Sequence, residues 1–375
     1  MKRIVLQGAA AMFLAACSAT SAPGSNTSAG NRPFKIAEIA SFSTPWAMDF
    51  LPGRSNWALV TEREGKMWLV DATNGQRLAI EGVPKVKVGG QGGLGDVVAD
   101  PDFAKNKRVY LTFVEAGPNG TSGAAMGYGT LENRGGRERL ENFKIIWRQQ
   151  PEVSGGAHFS HRIAFGPDGL LYLTSGERNK LEPAQSFAGN LGKVLRLTRE
   201  GAPAPGNPWA RRGGIAAQFW TVGHRNVLGI AFAPDRRLWV SEMGPRGGDE
   251  INLILAGRNY GWPNVSNGSH YDGRDIPDHK AGDGFEPPKV WWNPSVSPGA
   301  LMIYTGNMFP KWKGDALVGA LSGESLIRVD LNGAAARKAD QWGMGQRIRA
   351  VDQGPDGAVY LLEDEGRLLK LTPAT

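Results

Sequence analysis

Phe165-Gly-Pro-Asp-Gly-Leu-Leu-Tyr-Leu173 joins a turn signal to an apolar run, and the chain repeats that pairing. Close copies are Phe232-Ala-Pro-Asp-Arg-Arg-Leu-Trp-Val240 and Gly354-Pro-Asp-Gly-Ala-Val-Tyr-Leu-Leu362. Looser copies are Phe50-Leu-Pro-Gly-Arg-Ser-Asn-Trp-Ala-Leu59, Asp100-Pro-Asp-Phe103 through Arg108-Val-Tyr-Leu111, and Pro310-Lys-Trp-Lys-Gly-Asp-Ala-Leu-Val318. With Pro52, Pro101, Pro167, Pro234, Gly314 and Pro355 as markers, the six units lie 49, 66, 67, 80 and 41 residues apart. A four-stranded blade needs roughly 40–50 residues, and loops absorb the excess. The pattern predicts one domain over residues 34–375, an all-β six-bladed β-propeller whose last blade is completed by a strand from Phe34 to Ile39. Composition agrees: Gly 52, Pro 24 and Trp 12 suit short strands and tight turns, and no stretch sustains a 3.6-residue apolar period.

The repeats also place the polar residues. His158 precedes Pro167 by nine positions and Arg225 precedes Pro234 by nine. Gln91 lies ten before Pro101, and Arg347 and Arg349 lie eight and six before Pro355. Equivalent offsets in equivalent blades mean equivalent heights, so these side chains should gather at one end of the ring and form a pocket. Hairpin register adds partners. With Pro167-Asp168 at the turn centre and no bulge, His158 faces Glu177. That pair reads either as a base held by a carboxylate or as a structural cross-strand pair. The same rule sets Arg225 opposite Gly244, Asn226 opposite Met243 and Arg347 opposite Asp364. Arg349 is left without such a partner, on the face it shares with Arg347 while Ile348 points away. Two adjacent arginines suit carboxylates or phosphates.

Ser241-Glu-Met-Gly-Pro-Arg-Gly-Gly-Asp-Glu-Ile-Asn252 and Asn259-Tyr-Gly-Trp-Pro263 follow the strand Leu238–Glu242. Glycines let backbone carbonyls converge, and Asp249 and Glu250 add anionic oxygens, a set that suits a hard cation such as calcium. The spacing is not that of an EF-hand, so on pattern alone the segment is either a metal loop or a turn.

The first residues read as an export signal: Lys2 and Arg3, an apolar run from Ile4 to Ala16, then Leu14-Ala15-Ala16-Cys17. Cys17, the only cysteine, falls where a bacterial lipoprotein carries its lipid, making 1–16 the signal and 17–33, rich in Ser, Ala and Gly, a flexible tether. Ser18 points by analogy to outer-membrane anchoring facing the periplasm; a soluble periplasmic protein is the alternative. Loss of Lys2 and Arg3 lowers the formal charge from +7 to +5. That mild basicity suits an anionic ligand, while the absence of dense Lys/Arg clusters argues against nucleic acid.

Six motifs, in order, resemble the soluble pyrroloquinoline quinone (PQQ) dependent aldose sugar dehydrogenases, the glucose/sorbosone dehydrogenase propellers. They are Gly89-Gly-Gln-Gly-Gly-Leu-Gly-Asp96, His158-Phe-Ser-His-Arg-Ile163, Gly223-His-Arg-Asn226, Gly244-Pro-Arg-Gly-Gly-Asp-Glu-Ile-Asn252, Asn259-Tyr-Gly-Trp-Pro263 and Gln346-Arg-Ile-Arg349. The resemblance implies oxidation of an aldose at its anomeric carbon to a lactone, with electrons leaving to a quinone or a cytochrome. It implies His158 as base, to which the register adds Glu177 as orienting partner, and it implies Gln91, Arg225, Asn226, Arg347 and Arg349 against substrate or PQQ, with Arg225 facing charge that develops in the reaction. It assigns the carbonyls of Gly244 and Pro245 to a catalytic calcium, and Glu250 with the Tyr260 carbonyl to a structural one. Three departures stand out: Leu321-Ser322-Gly323 where relatives carry a cofactor-binding lysine, His161 where glycine is usual and would leave a wider pocket, and Met243 where the residue is often polar. Two other readings of the fold are a calcium-dependent lactonase and a non-catalytic envelope-binding lipoprotein.

Overall fold

The computed structural model describes residues 32–374, so the signal, the tether up to residue 31 and Cys17 lie outside the described residues. Six blades surround one axis. They span 45–81, 94–148, 160–222, 227–292, 298–343 and 348–373, the last completed by the N-terminal strand Phe34–Ser41 running antiparallel to Arg367–Pro373. The innermost strands, Pro45–Phe50, Leu94–Ala99, Ser160–Phe165, Val227–Phe232, Pro298–Ile303 and Ile348–Gln353, lie each against the next and the last against the first, which closes the ring. Blades one and two are also stitched along their outer edges by parallel pairing of Ile80–Glu81 with Glu138–Arg139.

The repeated turns explain why the pattern was visible. Asp168, Asp235 and Asp356 each accept, through Oδ1, the backbone N–H two residues on (3.2, 3.1 and 3.0 Å). Gly169 and Gly357 sit between at φ of +76° and +82°, where a side chain is strained; Arg236 tolerates +72° in the third copy. The strands that follow, Leu171–Ser175, Leu238–Glu242, Ala316–Ala320 and Val359–Glu363, are buried at every position. Each is covered on both faces by neighbouring blades, hence continuous apolar runs instead of alternation.

Register carries one correction. Near the turn, Ala164 pairs with Tyr172 and Ile163 with Leu173, one residue off the bulge-free expectation. A bulge between Ile163 and Ser160 then absorbs that residue, Ser160 meets Ser175, and His158 reaches Glu177 after all. The same one-residue shift occurs at the same end of all six innermost strands. Such bulges re-aim side chains at the end of a strand, and here that end is the one facing the site.

Arg162, on the third blade, binds the ring together. It donates to Asp96 of the second blade (2.9 Å), the Leu228 carbonyl of the fourth (2.9 Å), Gly299 of the fifth (2.8 Å) and Arg349 of the sixth (3.4 Å). Its guanidinium carbon lies 3.9 Å from the ring centre of Trp46 on the first. One buried side chain thus touches every blade.

Candidate active site

A cavity of about 450 Å³ opens at the bulged end of the axis, and each blade or the loop leading into it contributes to its wall: Trp46, His161, Met243 and Arg349 from blades one, three, four and six, and Gln91 and Ser297 from the loops that enter blades two and five. Gln91, Arg347 and Arg349 line it directly. His158, Arg225 and Asn226 touch the lining instead of forming it. The His158 N–H donates to Gln91 Oε1 (2.8 Å), Arg225 Nη1 to the Met243 carbonyl (3.1 Å), and Ser160 Oγ to Asn226 Oδ1 (3.1 Å).

His158 and Glu177 form the buried pair expected of them, through Nδ1 and Oε1. The Glu177 carboxylate also accepts the N–H of Leu181 (2.7 Å), so its direction is fixed by backbone. Burial raises the Glu177 carboxyl, but the imidazole, the Leu181 N–H and Arg225 together bring it below its ordinary value. Burial lowers the His158 pKa, Arg225 adds to that, and Glu177 opposes it. The net result is a histidine that is neutral near pH 7, with Nδ1–H given to the carboxylate and Nε2 free to take a proton. The backbone here is strained: His158, Ser160 and His161 hold φ of +50°, +57° and +57°. Such residues cost roughly 1–3 kcal/mol each and persist where surrounding structure over-determines them. Here the Phe159 carbonyl accepts from Gly176 (3.1 Å) and the His158 carbonyl from Arg178 (3.2 Å).

His161 does line the cavity. Its ring stacks on Trp46 at 4.9 Å and 8°, with Nδ1 2.8 Å from Thr112 Oγ1. The space exists because residue 95 is glycine: a Cβ there would sit 2.0 Å from His161 Cε1. Burial pushes His161 down to about 3, so it stays neutral and is a poor base beside His158.

The arginine pair needs correcting. Arg347 donates to Asp364 (2.8 Å) as the register implied, but Arg349 donates to the same carboxylate (2.7 and 3.1 Å) and is not unpartnered. One carboxylate shared by two guanidiniums still leaves excess positive charge, and a third arginine adds to it. Arg63 lines the same wall, its Nε buried without a partner, and Arg225 Nε is likewise orphaned. Unsatisfied guanidinium donors around a polar cavity fit a polyanionic ligand. Arg63 was missed although its signal was present. It directly follows the strand Trp57–Glu62, as Met243 follows Leu238–Glu242, Leu321 follows Ala316–Ala320 and Asp364 follows Val359–Glu363. All four line the cavity; offsets after the turn carry the same information as offsets before it.

Met243 also borders a second, much smaller cavity that brings Gly244, Glu250 and Tyr260 together with Glu242 and Arg225. Pro245 is buried beside Gly244. Glu250 stands directly across from Glu242 in the ladder, and Asn252 Nδ2 donates to it (2.9 Å) while Asn252 Oδ1 is buried without a partner. Burial and then the facing Glu242 raise the Glu250 carboxyl to about 8. Glu242 is already engaged, its Oε2 paired with His224 Nδ1 (2.9 Å) and its Oε1 accepting the Arg225 N–H, so Glu250 is the carboxylate left to face a hard divalent cation. Asp249 does not join it, contrary to expectation. Its Oδ1 accepts from the Gly244 N–H (2.8 Å) and its Oδ2 from Val296 and Ser297 N–H (2.7 Å each) and Ser295 Oγ, so it braces the loop.

The fold is thus a six-bladed propeller whose arginine-lined axial cavity lies beside a buried histidine–glutamate pair. The Glucose / Sorbosone dehydrogenase family model matches residues 42–370, and the chain belongs to that family. It is 39% identical over 336 residues to the aldose sugar dehydrogenase YliI of Escherichia coli, matching 88% of this chain and 90% of that protein. The structure is similar to the apo-form soluble aldose sugar dehydrogenase of Escherichia coli (TM-score 0.86, 38% identity, 91% of this chain and 100% of that one). It is also similar to a PQQ-bound aldose sugar dehydrogenase from Streptomyces coelicolor (TM-score 0.72, 29% identity, 90% and 98%).

Proposed function

We propose that the chain oxidises aldose sugars at the anomeric carbon to lactones with PQQ and calcium. The observation that carries this reading is the buried His158–Glu177 pair beside an arginine-walled cavity. PQQ, when bound, supplies a quinone carbonyl that accepts hydride, and calcium polarises it. Arg63, Arg347 and Arg349 offer positive charge to the cofactor's carboxylates, partly offset by Asp364, and the carbonyls of Gly244 and Pro245 would hold the calcium. His158 accepts at Nε2 the proton of the anomeric hydroxyl, and Glu177 stabilises the imidazolium that results. Gln91 holds the base in place through the His158 N–H, and Arg225, whose Nε alone lacks a partner, supplies positive charge where negative charge develops.

Ser322 tests the cofactor half of this reading. It is exposed at the rim, its Oγ 2.7 Å from that of Ser297, which lines the cavity. Ser322→Lys should tighten PQQ binding by about 1–3 kcal/mol through a new charge-assisted contact. Titration of PQQ into both proteins checks it; equal affinities would remove residue 322 from the site.

Glu250 and the Tyr260 carbonyl hold a second calcium in the smaller cavity. Calcium at a hundredfold excess over its Kd should stabilise the fold by about 2.7 kcal/mol, since it binds the folded state alone. Glu250→Ala should remove most of that increment in thermal melts with and without chelator. A melting temperature indifferent to chelator would reduce the loop to a turn. Export and lipidation at Cys17 complete the proposal; loss of labelled-palmitate incorporation in Cys17→Ser tests it.

A further inference from the structure

Between the strands Asp249–Ile254 and Val290–Trp292 the fourth blade makes a long excursion, and Tyr271 stands at its tip. The tip is fixed. Arg246–Gly247 pair with Gly268–Ser269, which ties the excursion to the Gly244 loop. The 270–274 turn closes through His270 N–H to the Arg274 carbonyl and Gly273 N–H to the His270 carbonyl (both 2.9 Å). Tyr271 is 71% exposed, yet its hydroxyl accepts from Nη2 of Arg225 (3.1 Å), a residue only 3% exposed. The other faces of that guanidinium are the Met243 carbonyl and, at 5.2 Å, the Trp262 ring.

Single exposed aromatics are ordinary and need no explanation. This one differs because a buried arginine of the site holds it from beneath while its ring faces solvent. A ring fixed in advance loses little conformational freedom when a ligand covers it. Resting on the sugar-oxidising function proposed above, we infer that Tyr271 is the outer wall of the sugar site. Its ring stacks on the apolar C–H face of a pyranose. Pyranoses present such a face, and an aromatic ring complements it without competing for the hydroxyls that Gln91 and Arg225 would bind.

The test compares Tyr271→Ala and Tyr271→Phe in protein loaded with PQQ and calcium. The alanine variant should raise the KM for glucose about tenfold with kcat within about twofold, leaving the KM for the dye acceptor and the PQQ affinity unchanged. The phenylalanine variant, which keeps the ring, should stay within about threefold of wild type. An unchanged glucose KM in Tyr271→Ala overturns the inference, as does a shift confined to the dye KM or the PQQ titration. Wild-type protein without turnover would instead sink the dehydrogenase reading. Saturation-transfer NMR would then decide the wall by itself: transfer from wild type to glucose C–H protons, lost in Tyr271→Ala, supports it. Equal transfer in both, or none to wild type, overturns it.

Discussion

His158→Ala is expected to lower sugar oxidation by about 10²–10⁴-fold, the contribution of a positioned general base, while PQQ binding stays nearly intact. His161, the histidine that lines the cavity, is a poor substitute, since it is stacked on Trp46 and its pKa is pushed down to about 3 by burial. Glu177→Gln should be milder in rate and distinctive in pH profile. Activity needs neutral His158, so it is lost as pH falls through that group's pKa, which lies below the ordinary 6.5. The Glu177 anion is what raises that pKa against burial; removing it should move the acid limb to still lower pH. A limb that moves upward, or full turnover by His158→Ala, would contradict the assignment of base and partner.

Arg162→Met should cost about 3–5 kcal/mol of stability, the loss seen when one partner of a buried ion pair is removed and the other is left uncompensated. Asp96 would remain 6% exposed with its guanidinium partner gone, although Ile163 N–H still donates to it (2.8 Å). Three backbone carbonyls from the fourth, fifth and sixth blades would lose their donor at the same time. Arg162→Lys keeps the charge but not the planar fork, and should fall between. Denaturant titration of the three proteins measures this; a loss under about 1 kcal/mol in Arg162→Met would mean that the ring closes without it. Because Arg162 also reaches the Arg349 carbonyl, the methionine variant should weaken PQQ binding as well.

Much of this architecture is legible in the chain because three blades announce themselves by the same Pro-Asp turn and the other three by looser copies of it. Pro-Asp-Gly fixes a backbone reversal locally, and an apolar run follows because the next strand is covered on both faces. The six markers therefore count blades, and their offsets place Gln91, His158, Arg225, Arg347 and Arg349 at one end. What stays hidden depends on contacts far apart in sequence. Arg162 meets Gly299 and Arg349 only after the ring closes, so no spacing rule reveals it as the common partner of all six blades. Asp249 looks like a metal ligand because acidic side chains near glycines do; only the fold shows its oxygens already filled by Gly244, Val296 and Ser297. The sharing of Asp364 by Arg349 follows from the bulge beside Ile348, which shifts the ladder by one residue. The equivalent bulge between Ser160 and Ile163 is why His158 reaches Glu177 although the pairing nearer the turn is one residue off the bulge-free register. Arg63 is a different case, since its position just after a strand end was readable by the rule that exposes Met243 and Asp364.

The central claim is that this cavity, with His158 held just behind its lining by Gln91, oxidises an aldose once PQQ and calcium are present. The most direct test mixes metal-free protein with PQQ, calcium and glucose and follows reduction of an electron-accepting dye. Turnover that needs all three additions and disappears in His158→Ala is the predicted result. No sugar-dependent dye reduction by wild-type protein, at PQQ and calcium concentrations shown by titration to saturate it and across a panel of aldoses, would contradict it.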